Sequence, residues 1–499
     1  MTSVILPETQ PWFARGGAAR QLVALALLVG LGDILCFGVD PGAGMAVLAA
    51  CIVAAAGSTV LVKPARRQQV DAALLVLTAQ LPWLLSPGFF AFCLAFLGTV
   101  FAAARLVKNE AAALWPQSSA LLKSMIWRAV PDLLRIWLRV MSREVRGRGA
   151  AALLGWLLPV LGGAVFLALF AGANPIIASG LSAVNPLVLL QAVDPARLFF
   201  WLLLAGVIWP FLAPPAVKPR RPAKASAAPA GAWGPLLGVT SITRALVLFN
   251  LLFAVQTAMD AAYLWGGAKL PAGFTYADYA HRGAYPLILT ALLAGGFAIL
   301  ATCPGTAPAA FRRVRLLVLF WIVQNLALVG SSIYRLHLYV QAYSLSELRL
   351  AAFLWMLLVF AGLVLIVLRI LLARSDAWLL RANALAALVT LYFGACLNVP
   401  WIVASYDVAH CQEVTGSGAA LDLEYLRDLG PQAIPALDRY QVLTGGSEAY
   451  PFAQTGEAGA VRARLAADFK PDRDWRSFSF WSWVLHCYLV THDSRTPRA

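Results

Sequence analysis

Residues 350–373 read LAAFLWMLLVFAGLVLIVLRILLA, and Arg369 is the only charge among them. About 20 apolar residues in helical form cross the roughly 30 Å hydrocarbon core of a bilayer. A stretch of this kind can satisfy its backbone in lipid only as a helix or within a closed barrel. It lacks the alternation of a barrel strand, so it reads as a transmembrane helix. Arg374 and Arg381 follow it and begin a basic flank.

The same unit recurs in both directions along the chain. About eleven such runs occur, near 21–38, 43–62, 71–86, 88–105, 151–171, 197–214, 243–265, 284–302, 315–337, 350–373 and 382–403. Ser86-Pro87-Gly88 alone separates the third and fourth, which points to a tight helical hairpin. Basic residues gather between alternate pairs of runs. Lys63, Arg66 and Arg67 form one cluster, and the stretch from Arg105 to Arg148 forms a second. Lys218, Arg220, Arg221 and Lys224 form the next, followed by Arg312, Arg313 and Arg315, then Arg369, Arg374 and Arg381. Short loops rich in Lys and Arg stay in the cytoplasm, so the N-terminus is expected inside. An odd number of spans then leaves the chain beyond about residue 404 outside.

Composition agrees. Of 499 residues, 61% are hydrophobic and only 13% charged, with a mean hydropathy of +0.74. A soluble domain carries about 25% charged residues. The net charge of +15 does not point to nucleic acid, because the cations sit at span ends, where topology and anionic lipid headgroups account for them. The start, MTSVILPETQPWFARGGAAR, is polar and mixed, so the first run reads as a span rather than a cleaved signal.

The expectation is therefore an all-α fold: a polytopic transmembrane helical bundle of about 11 spans with a small helical extracytoplasmic C-terminal tail. Residues 1–214 make an N-terminal membrane half of about six spans. It includes a cytoplasmic amphipathic helix near 118–147, bent near Pro131, that lies on the anionic leaflet or meets a partner. Residues 215–235, rich in Pro, Ala and basic residues, read as a cytoplasmic linker. Residues 236–403 make a second half of about five spans, and 404–499 the tail. Ala173 to Arg197, broken by Pro175, Gly180, Pro186 and Pro195, suits a re-entrant or interfacial piece. In the tail, LDLEYLRDLG ends in a helix-stopping Gly, Pro431 opens the next helix and Thr455 could cap another. The stretch WRSFSFWSWVLHCYLV is shorter than a span and Trp-rich, and suits the outer interface.

Chemistry-bearing residues concentrate on the outer side. Tyr276, Asp278, Tyr279, His281 and Arg282 crowd a short loop between two spans. They could shape a ligand pocket or form an aromatic belt with ion-paired caps. Gln256 and Asp260 lie four apart and share a helix face. Arg335 and Tyr339 do the same on a later span, and Asp260 or Glu347 could pair with Arg335. Charges inside spans mark functional sites or serve as interhelical glue. The ligand-binding candidates are Asp260, Tyr276, Asp278, Tyr279, Arg282, Arg335 and Tyr339. Cys411 and Cys487, the tail's only cysteines, are a disulfide candidate. No residue spacing points to a metal or to a cofactor, and there is no P-loop, HExxH or GxSxG motif.

NLLFAVQTAMDAAYLWGG, GFTYADYAHRGAYPL, SSIYRLHLYVQAYSLSELRLAAFLWML, LNVPWIVASYDVAH and LDLEYLRDLGPQAIPAL together resemble bacterial membrane proteins of domain-of-unknown-function family 4173 and, less closely, family 4153. The resemblance runs from about Leu246 onward. It implies an integral inner-membrane protein and carries over no catalytic residue. The functional expectation is binding or translocation of a small or lipidic ligand at an outer-side pocket, with membrane lipids as partners. Two rivals are an enzyme acting on a lipid-linked substrate, with Asp33, Asp260 or Asp278 as acid or base, and a sensory or scaffold subunit.

Overall fold

The computed structural model describes residues 17–59, 64–107, 114–127, 131–132, 194–215, 238–265, 290, 293–297, 311–445, 455–470 and 474–493. Among them every regular element is a helix. The runs at 151–171 and most of 284–302, the outer segment after Ala173, the linker and most of 128–147 lie outside the described residues. The nine remaining runs all fall on helices. The chain divides into two compact units, Met1–Pro219 with Arg473–Ser479, and Arg220–Asp472 with Phe480–Ala499.

The first unit holds α1 (Gly17–Cys36), α2 (Ala43–Thr59), α3 (Arg66–Leu85), α4 (Phe89–Val107), α5 (Leu114–Trp127) and α6 (Pro195–Leu212). Its core gathers Leu28, Leu48, Ile52, Val100, Leu121, Trp209 and Leu212. The helices α3 and α4 form the expected hairpin. Gly98 sits where a Cβ would lie 2.0 Å from the Cβ of Ala79, so the two backbones approach closely. Polar rungs hold them together. Arg105 pairs with Asp71 at 2.9 Å, and Gln80 donates to Thr99 and to the Ala95 carbonyl, each at 3.3 Å. Apolar solvent around such rungs offers no competing partner, which makes small-residue contact plus hydrogen bonding an effective glue between spans. The described part of the amphipathic segment, α5, packs on this unit through Gln117, Ser118, Leu121 and Ser124, while Trp115, Ile126 and Trp127 are exposed.

Asp33 on α1 is committed. Its carboxylate takes the Arg197 guanidinium and, at 2.8 Å, the Trp201 indole N–H. The short turn Trp475–Ser477 belongs to this unit. Ala43 donates to the Phe478 carbonyl at 3.1 Å, and a Cβ on Gly42 would meet the Ser477 backbone at 2.3 Å. The Trp-rich stretch is therefore two pieces, and the second belongs to the tail described below.

The second unit holds α7 (Val239–Asp260), α8 (Arg312–Tyr343), α9 (Glu347–Leu371) and α10 (Asp376–Cys396). Trp321 is its centre, with Phe249, Phe253 and Phe297 packed 5.2–5.7 Å from its ring. Across the described residues of both units, six helices are long and apolar enough to cross a bilayer: α4, α6, α7, α8, α9 and α10. At 1.5 Å per residue the 32 residues of α8 extend about 48 Å, longer than the roughly 30 Å hydrocarbon core is thick.

The run at 382–403 breaks at Leu397, because Asn398 caps a new helix by accepting from Trp401 N–H and Pro400 suits its first turn. This helix, α11 (Val399–His410), opens the tail. It is followed by α12 (Gln412–Thr415), α13 (Leu423–Asp428), α14 (Ile434–Thr444), α15 (Thr455–Asp468) and α16 (Phe480–Asp493). Gly430, at φ +81°, ends α13 as expected. The tail has its own core, in which Val408, Leu426, Ile434, Leu437, Tyr440, Leu485 and Leu489 are buried. Cys411 and Cys487 do not pair: both are free thiols, Cys411 buried in that core and Cys487 exposed on α16.

Candidate functional site

The last turn of α7 and the C-terminal half of α8 are joined by polar contacts. Asp260 and Arg335 form an ion pair, with side chains only 1% and 4% exposed. Gln256 donates to the same carboxylate at 3.0 Å, as its i, i+4 placement predicts. A π-helical turn, Ala261–Trp265, continues α7. Its Trp265 donates to Ser331 at 3.3 Å and stacks on Tyr334 at 4.9 Å. Ser331, Tyr334 and Arg335 are three and four positions apart, so one face of α8 receives the whole of this end of α7. Asp260, not Glu347, is the partner that Arg335 takes.

Farther along, α8 ends at Tyr343, and Ser344 takes a left-handed φ of +66°. The Arg349 guanidinium donates to the carbonyls of Tyr343 and Ser344, satisfying orphan acceptors at the helix end. It also lies 4.6 Å over the Tyr339 ring, and Tyr339 packs on Tyr343 at 4.9 Å. Ser346 caps α9 through the Arg349 N–H.

Beyond this end of α8 lies a cavity of about 360 Å³. Val340, Gln341 and Ser344 form one wall, Tyr406, Asp407 and His410 of α11 another, and Thr415, Ser417, Gly418 and Ala419 a third. Gly418 has φ +97°, and a Cβ there would sit 2.9 Å from the His410 carbonyl oxygen, so the third wall needs glycine to close. Asp407 is 5% exposed and accepts the Leu345 N–H at 2.6 Å. Burial pushes its carboxyl up to about 6. The Leu345 N–H and the charges of Arg349 and His410 oppose the rise, and Asp422 adds to it. The His410 ring stacks on Tyr406 at 4.1 Å, with Nδ1 2.8 Å from the Tyr406 carbonyl. Nδ1–H therefore donates to that carbonyl. A buried carboxylate with a hydrogen-bonding rim, at the small end of the ligand-pocket range of roughly 300–1,000 Å³, suits a small polar cation.

A family model described as Domain of unknown function (DUF4153) matches residues 42–440. The chain belongs to this family. No curated protein and no solved structure matches the chain. Membership and the apolar helices together make this DUF4153 chain an integral membrane protein. The match reaches well into the N-terminal half, whereas the resemblance read from the sequence starts near Leu246 and leans to family 4173. It takes in the whole Asp407 cavity and both partners of the buried pair.

Of the sequence candidates, Asp260 and Arg335 are brought together, and Tyr339 lies on the same helix toward the cavity. Tyr276, Asp278, Tyr279 and Arg282 lie outside the described residues. Sequence reasoning missed Asp407 and His410, which it quoted only within LNVPWIVASYDVAH for the family resemblance. The available signal was an Asp and a His three apart, on one helix face, running into the glycine-bearing TGSG.

Proposed function

We propose that this chain is a bacterial inner-membrane protein, with its N-terminus in the cytoplasm and its tail in the periplasm, that binds a small cationic ligand at its outer side. The cavity of Asp407, His410 and Gln341 carries this reading. Its one lining carboxylate is buried, and ionised above about pH 6 it would favour a cation. The orientation rests on the basic clusters, since α8 begins with Arg312, Arg313 and Arg315 and its other end meets the cavity. Asp260, Arg335 and Tyr339 then support the pocket from below along α8. Tyr276, Asp278, Tyr279 and Arg282, which follow α7 in the sequence, remain ligand-contact candidates by their residue types. Binding is favoured over catalysis because Asp33 and Asp260, two of the candidate acids, are already held by arginines.

The test is thermal denaturation of the full chain in lipid nanodiscs with choline, ethanolamine or acetate. Either cation should raise the midpoint of the wild type, acetate should not, and Asp407→Asn should lose the response. An equal response in Asp407→Asn, or none to either cation in the wild type, would count against the pocket.

A further inference from the structure

A second cavity lies in the first unit, far larger at about 810 Å³. Its floor is Val53, Ala72, Val76 and Leu106, all buried. Its exposed rim carries Ala50, Ala54, Ala73 and Leu77, and alanines and Gly57 keep it hollow. Polar groups occupy one end only. Arg20 opens α1, Ser58 closes α2 and Gln69 lies in the first turn of α3, beside the exposed Arg66 and Arg67. Among the described residues no carboxylate pairs with Arg20. From Ser58 back to Ala50, and from Gln69 on to Leu77, eight residues of helix descend about 12 Å. That is most of the roughly 15 Å of one leaflet's hydrocarbon.

We propose that this groove between α2 and α3 holds an acyl chain of an anionic phospholipid from the cytoplasmic leaflet, with Arg20 at its headgroup phosphate. The groove has the polarity of an amphiphile: cationic at the end where basic loops cluster and apolar along its length. A water-soluble ligand would find no hydrogen-bonding partner along the floor. A zwitterionic lipid would fill the same walls but gain less from Arg20, Arg66 and Arg67.

Native mass spectrometry of the full chain tests this with phosphatidylglycerol and phosphatidylethanolamine of equal chain length. The wild type should retain phosphatidylglycerol preferentially. Arg20→Gln should cut that preference about fivefold, the factor expected for one basic residue at an anionic surface, and Arg20→Lys should keep it. Ala73→Phe, which places a ring in the open rim, should reduce adducts of both lipids. Asp407→Asn should change neither, which separates this groove from the outer pocket. Equal retention of the two lipids by the wild type would overturn the proposal. So would an unchanged preference in Arg20→Gln, or undiminished adducts in Ala73→Phe.

Discussion

Two acidic residues in the second unit show opposite uses of burial. Asp260 is closed against Arg335, and Gln256 shares its carboxylate. Taking two charges out of water costs much of what their attraction returns, so such a pair contributes little net stability, but removing one partner strands the other. Arg335→Met should therefore lower stability by about 3–5 kcal/mol. The double variant Asp260→Leu, Arg335→Met should recover most of that in a denaturation series. A double variant no more stable than the single one would mean that the pair does more than compensate itself. Asp407 faces a cavity instead, and its carboxyl is raised from the ordinary 3.8 to about 6. Between these values the native carboxyl keeps a proton that the unfolded chain has lost. Its stabilising effect is thus full below about pH 4 and lost as pH rises through about 6. Cation binding should run the other way, strengthening as pH rises through the same range. Arg349, His410 and Asp422 also bear on this carboxyl, so the comparison to make is with Asp407→Asn, in which both trends should flatten. Parallel pH trends in that variant would assign them to another group. The Asp260 pair was legible because a charge inside an apolar run demands a partner. Asp407 was not, because an acid in a polar tail looks solvated until the fold buries it.

At the scale of elements, hydropathy located the helices well and their packing poorly. Ser86-Pro87-Gly88 gave away the α3–α4 hairpin because turn residues between two runs leave few other paths. The end of α10 was misjudged, since Asn398 and Pro400 start a helix inside a run that remains apolar to 403. The Trp-rich stretch divides into two helices for a different reason. Apolarity does not say which apolar surface a segment meets, and here Trp475–Ser477 meets the α1–α2 turn while α16 enters the tail core. That first contact depends on Gly42, whose missing Cβ leaves room for the Ser477 backbone. The Trp83 indole also donates to the Gly42 carbonyl at 2.9 Å, fixing the turn from its other side. Backbone cannot retreat as a flexible side chain can, so Gly42→Ala should destabilise the protein by about 1–3 kcal/mol, in the manner of overpacking. Gly30 on α1 has nothing within 4 Å of its added Cβ. Gly30→Ala should be neutral or stabilise by up to about 1 kcal/mol, as for an open helical glycine. Thermal midpoints of the two variants check the pair, and similar losses in both would remove the special role of the Ser477 contact.

For the whole molecule, the decisive relation is between what faces outward and what solvent can accept it. On α10 only Leu379 is buried, while Leu385, Leu388, Val389, Leu391 and Phe393 are exposed. On α7, Leu248, Leu251, Leu252 and Val255 are exposed, and Asn250 is buried. Water would penalise these faces at roughly 25 cal/mol per Å² of apolar surface, and lipid does not. Charge then orients the helices within that solvent. Arg312, Arg313 and Arg315 open α8, Arg369 and Arg374 close α9, and Arg381 lies early in α10. Successive helices joined by short connections place these residues on one side, which the proposed orientation assigns to the cytoplasm. The opposite end of α10 leads through Asn398 into the tail and the Asp407 cavity. Alkaline phosphatase fused after Ala499 should therefore be active, since it needs the periplasm, and a fluorescent protein fused there should stay dark. The same fluorescent protein inserted after Arg374 should glow. Reversed signals at both positions would turn these helices over and place the Asp407 cavity in the cytoplasm, where a ligand would reach it from the cell interior.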